Sequence, residues 1–342
     1  MEIGKIYATI ATQTMRPEAR PSIKQRLAKG IGSAKCTALE KGIVQPASWI
    51  LSIPANRWAE NVARAQSLEW APGVREKITE AAKKGYVVMF VSNHCSDQEA
   101  VEEALPIAEA VEQMNAILPQ EKQIEDVAMV TANSLREGGQ RIGERIIFEG
   151  LRRRFLKKHH IRPVFTTTPG DHENRGIEEK PGEFASTLGG LMKNGRHGIF
   201  IYPEGSIRGG KINRATGKRF GTQLFRQDSV TAQISMLRRR YKTEVVVVTL
   251  STWGAWDVFD HTNSRAPIKT VGKALIGSSI PQVVRTVVGS AWTTDEEPIA
   301  SMITQEASLK KADKGKVIEG FLGVVIVSDL PREQQGVYAP MI

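Results

Sequence analysis

The chain has 342 residues, enough for one large domain with a subdomain or for two domains. Its formal net charge of +10 favours acidic partners: phosphorylated substrates, an acidic carrier protein, anionic lipid or nucleic acid. Its 2 cysteines have no metal-ligand spacing, which excludes a disulfide scaffold and a cysteine-based metal site and favours a reducing, cytosol-like compartment.

The N-terminal region is basic and then helical in pattern. Residues 1–38 carry several Lys and Arg and few acids, a composition typical of a transit peptide or of a solvated helical leader. Residues 22–84 have apolar side chains at three- and four-residue spacing, with prolines between the segments. The pattern predicts a small helical N-terminal domain over residues 1–84.

Residues 85–342 alternate between strand and helix signals, with Gly85 ending the last N-terminal helix. The predicted strands are Tyr86–Val91, Val127–Val130, Arg162–Thr167, Gly198–Tyr202, Glu244–Leu250 and Phe321–Val327. The predicted helices cover residues 97–118, 144–158, 184–193 and 223–241. Strands separated by helices indicate an α/β domain, with a largely parallel central sheet flanked by helices.

The first segment that can carry chemistry follows the strand Tyr86–Val91 and contains Ser92, Asn93 and His94. A histidine has an unperturbed pKa close to neutrality, so it is a natural general base for a hydroxyl, provided that a carboxylate orients its ring. Candidate carboxylates are Asp97 and Glu99, in an acidic turn that also includes Glu102 and Glu103 and suits a helix start. In the alternatives, His94 only caps the helix, or Cys95 acts as a nucleophile.

The second segment follows the strand Gly198–Tyr202. It contains Glu204, Gly205 and Ser206, and then a run of cations that begins with Arg208 and Lys211 and has no acid before Asp228. Such a glycine-containing basic loop can wrap a phosphate, or it can simply be solvated. Parallel sheets place their chemistry at the carboxyl ends of strands, so we expect a base and an anion site in one crevice.

These two segments resemble motifs of the glycerolipid acyltransferase family. The family's first block is His-x4-Asp and its third is Phe-Pro-Glu-Gly-Thr/Ser-Arg-Ser; His94 and the residues 202–206 match them. This chain has Glu99 where the family has Asp, and Ile207 is inserted before Arg208. Residues 162–180 are the positional match to the second block, and residues 245–250 resemble the fourth.

The resemblance implies transfer of a fatty acyl group from an acyl-CoA or acyl-ACP thioester to the hydroxyl of glycerol 3-phosphate, in phospholipid synthesis. The layout is closest to soluble plastid-type glycerol-3-phosphate acyltransferases. His94, with Glu99 or Asp97, is the implied catalytic group. The implied substrate-binding residues are Glu204, Gly205, Ser206, Arg208, Lys211, Arg175 and Thr167. No metal or redox cofactor is expected, and the thioester is a co-substrate.

The expected partners are glycerol 3-phosphate or lysophosphatidate, the acyl donor with its carrier protein, and an anionic membrane surface. The expected location is the cytoplasm, or the plastid stroma if the basic leader follows a transit peptide, with peripheral attachment to a membrane. No apolar run reaches the ~18 residues of a membrane span.

Two other functions remain open. One is acylation of lysophosphatidate or another lysolipid by the same catalytic pair. The other is a catalytically inactive basic protein that binds lipid or nucleic acid. However, no nucleic-acid-binding module is recognisable, and nucleic acid is not an expected partner.

Two further clusters have alternative interpretations. Trp253, Trp256 and Phe259 could line an acyl groove, touch a bilayer or belong to the core, and the basic stretch 152–160 could dock an acidic carrier, anionic lipid or nothing.

Overall fold

One sheet of seven strands forms the centre of the protein. The computed structural model describes residues 45–64, 66–93, 103–132, 149–166, 183–192, 197–204, 222, 225, 229–254, 284–310 and 313–342. The strands in these ranges are β1 (Ser67–Trp70), β2 (Val87–Ser92), β3 (Asp126–Ala132), β4 (Ile161–Thr166), β5 (His197–Ile201), β6 (Val245–Trp253) and β7 (Arg285–Thr293). Their order across the sheet is β1-β7-β6-β2-β5-β3-β4.

The sheet is largely parallel, as the sequence predicts. Strands β6, β2, β5, β3 and β4 run in one direction. Strand β7 is antiparallel to β6, and β1 runs parallel to β7. The predicted α/β fold class is therefore confirmed, with one antiparallel pair.

Strand β2 lies in the middle of the sheet, between β5 and β6, and all its residues are buried. Its side chains alternate between two cores: Val88 and Phe90 belong to one, Val87 and Met89 to the other. Because both faces of the strand are covered, its sequence is a continuous apolar run rather than an alternating one.

Helices cover both faces of the sheet. The α- and π-helices in the described ranges are α1 (Gln45–Arg64), α2 (Val74–Lys83), α3 (Ala104–Asn115), the π-helix Arg152–Leu156, α4 (Glu183–Met192), α5 (Ser229–Met236), which continues as a π-helix over Leu237–Tyr241, α6 (Ile299–Ser308) and α7 (Lys316–Ser328). Helices α2 and α3 and the first π-helix pack on the face that we call the first, through residues such as Ile78, Ile107 and Phe155. Helices α4, α5 and α7 pack on the second face. Each fully buried aliphatic side chain in these cores contributes roughly 1.5–3 kcal/mol.

Buried glutamates cap two of the helices on the second face. The Glu306 carboxylate, at the end of α6, accepts the backbone N–H of Val317 at 2.7 Å in the first turn of α7. Glu319, in α7, accepts the backbone N–H groups of Val230 and Thr231, each at 2.9 Å, at the start of α5. Helix starts leave N–H groups without intrahelical partners, so these contacts join α6 to α7 and α7 to α5.

Two predictions of local structure are wrong. Phe321–Val327 is not a final strand but part of α7, whose residues Ile318, Leu322 and Ile326 recur every four positions and face the second core. A short, uniformly apolar run cannot be assigned to strand or helix by periodicity. Residues 67–70, in the region predicted as helical, form the edge strand β1, which has only four residues and hence no readable alternation.

The N-terminal boundary of the sheet lies earlier than residue 85. Strand β1 pairs with β7, and α2 packs on the first face, although both precede that position. Residues 1–44 lie outside the described residues. The division into a domain over residues 1–84 and another over 85–342 stays a prediction.

The chain reverses its winding direction between β2 and β5, which are neighbours. After β2 it passes to α3 on the first face and then to β3. After β5 it passes to α5 on the second face and then to β6, on the other side of β2. Connections that leave adjacent parallel strands for opposite faces create a crevice at the carboxyl ends, where open α/β sheets bind ligands.

Candidate functional site

The two sequence motifs leave the sheet side by side. In the parallel pairing of β2 with β5, Val91 lies opposite Ile201. His94 and Glu204 each follow that pair by three positions, and neighbouring strands lie about 5 Å apart. Both motifs therefore begin at the same edge of the sheet, at the point where the winding reverses.

Glu204 is the one predicted site residue within the described ranges. Its side chain is buried, at 4% exposure, directly beyond the end of β5. The preceding Tyr202 packs edge-on against Phe200, with 4.6 Å between ring centroids, on the first core. The other predicted catalytic and substrate-binding residues lie outside the described residues: His94, Asp97, Glu99, Thr167, Arg175, Gly205, Ser206, Arg208 and Lys211.

Asn93, the residue before His94, is held by the neighbouring strand β6. Its side-chain Nδ2 donates to the Thr252 carbonyl at 2.9 Å, and its Oδ1 accepts the Thr252 backbone N–H at 2.9 Å. The side chain thus continues the β2–β6 ladder for one step after the backbone has left it. This pairing fixes Asn93, the residue directly before His94 in the sequence, to β6.

A buried carboxylate lies beneath the same strand ends. Glu103, at the N-cap of α3, is fully buried and accepts hydrogen bonds from the hydroxyls of Ser92 and of Thr252, the latter at 3.0 Å. Ser92 is the last residue of β2, and Thr252 belongs to β6. Glu103 therefore joins the start of α3 to the ends of two central strands.

The hydrogen bonds extend from Thr252 to the edge of the sheet. The hydroxyls of Thr252 and Thr286, in β6 and β7, lie 3.0 Å apart, and both residues are fully buried. The Gln66 side-chain amide donates to the Thr286 hydroxyl at 2.5 Å, just before β1. Because Gln66 donates to Thr286 and Thr252 donates to Glu103, the Thr286 hydroxyl donates to that of Thr252. We call these hydrogen-bonded residues the polar network: Gln66, Ser92, Asn93, Glu103, Thr252 and Thr286.

The sequence contains a signal for part of this network. Glu103 is one of the four acids whose clustering predicts a helix start, and it is the N-cap of α3, but its side chain is buried rather than exposed to solvent. Thr252 and Thr286 carry no signal of their own, because threonine is common in strands. Only the pairing of β6 with β7 brings these two residues together.

The two further clusters are partly described. Trp253 is half-buried and packs on the second core, whereas Trp256 and Phe259 lie outside the described residues. In the basic stretch, Lys158 pairs with Glu60 at 2.6 Å and Arg152 pairs with Glu149 at 2.8 Å.

Within the described ranges, no three His, Cys, Asp or Glu side chains converge as metal ligands. Of the helices that the structure describes, none combines the length and apolarity that crossing a bilayer requires. Comparison with protein-family models finds no match, and comparison with curated proteins finds none.

Proposed function

We propose that the chain is an acyltransferase that moves a fatty acyl group from an acyl-CoA or acyl-ACP thioester to the hydroxyl of glycerol 3-phosphate. One observation carries the proposal: the Asn93-His94 and Pro203-Glu204-Gly205 segments leave adjacent parallel strands at a reversal of winding. A base from one segment and an anion-binding loop from the other are what a phosphorylated alcohol needs in order to react.

In the proposed reaction, His94 accepts the proton of the acceptor hydroxyl, oriented by Glu99 or Asp97. The oxygen attacks the thioester carbonyl, and the tetrahedral intermediate collapses with expulsion of the thiolate of CoA or the carrier protein. The thiolate takes the proton from His94, so the base is regenerated. Backbone N–H groups near Gly205 stabilise the oxyanion.

The acceptor phosphate binds to the basic loop in this proposal. Arg208 and Lys211 supply the charge, with Arg175 and Thr167 as further ligands, and a guanidinium can bind a phosphate through two parallel hydrogen bonds. Glu204, which precedes the loop, is buried. Its role is to hold the turn from which the loop departs.

The polar network supports the proposal by giving the base a rigid origin. Asn93 is fixed to β6 through two hydrogen bonds, and Ser92 is fixed to Glu103. Catalytic groups gain from such preorganisation, because small displacements of a base lower the rate strongly. The residue that follows Asn93 is therefore well placed to carry chemistry.

An acceptor panel tests the function. Purified protein is supplied with acyl-CoA or acyl-ACP and with glycerol 3-phosphate, lysophosphatidate or buffer alone, and release of the thiol is measured. We expect acceptor-dependent release with glycerol 3-phosphate that is abolished in His94→Ala. Thiol release with lysophosphatidate but not with glycerol 3-phosphate would identify lysophosphatidate as the acceptor. Absence of release with every acceptor, or unchanged release in His94→Ala, would overturn the proposed mechanism.

A further inference from the structure

Helix α1 has an unusual distribution of side chains. Among the side chains of α1 whose burial the structure describes, the buried ones are small: Ser48, Ser52 and Ala59 are almost fully buried, and Gly150 approaches so closely that an added Cβ would lie 3.4 Å from the Ser52 Cα. Three of the side chains that it exposes are large and apolar. Trp49 is 68% exposed, Ile50 67% and Ile53 49%.

These three exposed residues, which we call the Trp49 patch, lie on one stretch of helix. The first twelve residues of α1, 45–56, contain no charged side chain. Isolated exposed apolar side chains are common on protein surfaces, but a cluster that includes an indole marks an interaction surface.

Cations flank the Trp49 patch. The Arg154 guanidinium donates to the Ser52 hydroxyl at 2.9 Å, and Ser52 lies about one turn after Trp49 and directly before Ile53. Arg57 follows on α1 and, with Lys158, lines a recess of about 380 Å³ that also includes Asn56, Glu60 and Asn61. We call Arg57, Arg154 and Lys158 the basic rim.

The charge around the patch is strongly positive. Residues 45–64 and 149–160 together contain seven Lys and Arg and two Glu, a net charge of +5, which is half of the net +10 of the whole chain. Both glutamates are largely buried, and each pairs with a cation, Glu60 with Lys158 and Glu149 with Arg152. Burial lowers the pKa of His159, so this residue adds no charge at neutral pH.

We propose that the Trp49 patch and the basic rim form a docking surface for an anionic lipid membrane, on which α1 lies parallel to the bilayer plane. Indole and isoleucine side chains enter the boundary between headgroups and acyl chains, and the arginines and Lys158 contact lipid phosphates. An acidic protein would match the rim, but it would not account for the indole and two isoleucines beside it. A second copy of this chain would bring two basic rims together.

Docking there connects the membrane to the candidate site. Helix α1 ends at Arg64, and two positions later Gln66 joins the polar network at the strand ends. The patch lies about 15–25 Å from that end of the helix, given a rise of about 1.5 Å per residue. Binding to vesicles requires no catalysis, so its outcome and that of the thioester assay are independent.

Co-sedimentation of the full chain with vesicles tests the proposal. We expect binding to phosphatidylcholine vesicles that contain phosphatidylglycerol, and at least about tenfold weaker binding to phosphatidylcholine alone or at high salt. Binding of the double variant Trp49→Ser/Ile53→Ser to anionic vesicles should be weaker than that of the wild type by at least about tenfold. Ile117→Ser is the matched control, because Ile117 is 48% exposed elsewhere and should leave binding unchanged.

Charge reversal tests the rim separately. The double variant Arg57→Glu/Arg154→Glu should bind anionic vesicles at least about tenfold more weakly than the wild type. The control variant Lys122→Glu/Arg239→Glu reverses two exposed cations elsewhere and should weaken binding less. Brominated lipid should quench tryptophan fluorescence in the wild type and less in Trp49→Phe, which retains an apolar ring.

Three outcomes would overturn the membrane assignment. One is equal binding by the Trp49→Ser/Ile53→Ser variant and the wild type, and another is no binding of the wild type to anionic vesicles. The third is a wild-type dimer in sedimentation equilibrium that the same variant dissociates, which would make the surface an interface between copies. Circular dichroism of each variant confirms that the fold is intact.

Discussion

The side chain of Asn93 pairs with both backbone groups of Thr252, with donor–acceptor distances of 2.9 Å in each direction. The same arrangement occurs once more in the described residues, where the Asn115 side chain donates to the Ile124 carbonyl at 2.8 Å and accepts its N–H at 2.7 Å. The first pair lies at the candidate site, and the second lies where the chain leaves α3.

The two asparagines give a matched pair of variants. Asn93→Ala and Asn115→Ala each remove two hydrogen bonds, and we expect each to lower the free energy of unfolding by about 1–4 kcal/mol. Only Asn93→Ala should also lower the kcat of thioester turnover, by about tenfold or more, because it releases the residue before His94. Urea denaturation and the thiol-release assay measure the two effects. Equal losses of kcat in both variants would argue against a positioning role for Asn93.

The buried Glu103 acts as an acceptor for two hydroxyls, so an amide should replace it better than a methyl group. We expect Glu103→Ala to lower the free energy of unfolding by about 2–5 kcal/mol, since the Ser92 and Thr252 hydroxyls each lose a carboxylate acceptor in a buried site. Glu103→Gln retains one acceptor oxygen and should lower the free energy of unfolding by less than half as much as Glu103→Ala. Thermal unfolding compares the two, and a glutamine variant as unstable as the alanine variant would contradict the acceptor role.

The carboxylate that orients His94 can be identified by two conservative substitutions. Asp97→Asn and Glu99→Gln each remove one charge, and we expect one of them to lower kcat by about 10²–10⁴-fold and the other by less than about tenfold. The comparison uses saturating acceptor and donor, so that a change in KM does not enter. If neither variant loses activity, the histidine works without either carboxylate.

Glu319 should make stability depend on pH. Burial raises the pKa of its carboxyl from 4.5 to about 8, against the opposing effect of hydrogen bonds from Val230 and Thr231. Because the folded pKa is above the unfolded one, the native state holds more protons between about pH 4.5 and 8, and the free energy of unfolding falls as the pH rises through this range.

We therefore expect wild-type protein to lose stability relative to Glu319→Gln between pH 5 and pH 8, by on the order of a few kcal/mol. Urea denaturation at both pH values measures the difference. Glu121→Gln, at an exposed position, controls for the loss of a negative charge. Parallel pH dependence of the wild type and Glu319→Gln would show that Glu319 does not titrate in this range.

Two helical glycines should respond oppositely to alanine. At Gly323, in α7, an added Cβ would overlap the ring of the fully buried Tyr338, whose hydroxyl accepts the Phe225 backbone N–H at 2.9 Å. We expect Gly323→Ala to lower the free energy of unfolding by about 1–3 kcal/mol. At Gly190, in α4, no atom of the described residues beyond the neighbouring backbone of the helix lies within 4 Å of the added Cβ, and alanine should raise stability by up to about 1 kcal/mol. Thermal unfolding of both variants tests this contrast.

Much of the sheet could be predicted because its central strands are continuous apolar runs between helical segments. Strands β2, β3, β4, β5 and β6 all lie where the sequence predicts them, to within a few residues. The short edge strand β1 and the apolar helix α7 could not be assigned, because four residues show no alternation and a fully apolar segment shows no polar face.

The candidate site, too, could be predicted from the sequence only in part. The sequence alone indicates that Asn93 and Glu204 follow strand ends, but it does not show that β2 and β5 are neighbours, since β3 and β4 lie between them in the chain. One of the hydrogen bonds of Glu103 comes from Thr252, which lies 149 positions later in the chain. Contacts of this kind follow from the topology of the sheet and not from any local pattern.

The pairing of β1 with β7 has a consequence for synthesis of the protein. Ser67 emerges from the ribosome early, but its partner Arg285 follows 218 positions later. Until then β6, whose residues from Val245 to Thr252 are buried in the finished sheet, exposes one edge of backbone donors and acceptors. Closing such a distant pair is slow, and an open apolar edge recruits other chains. A nascent chain that stalls after Trp253 would therefore be aggregation-prone, although it already contains the five central strands that run in one direction.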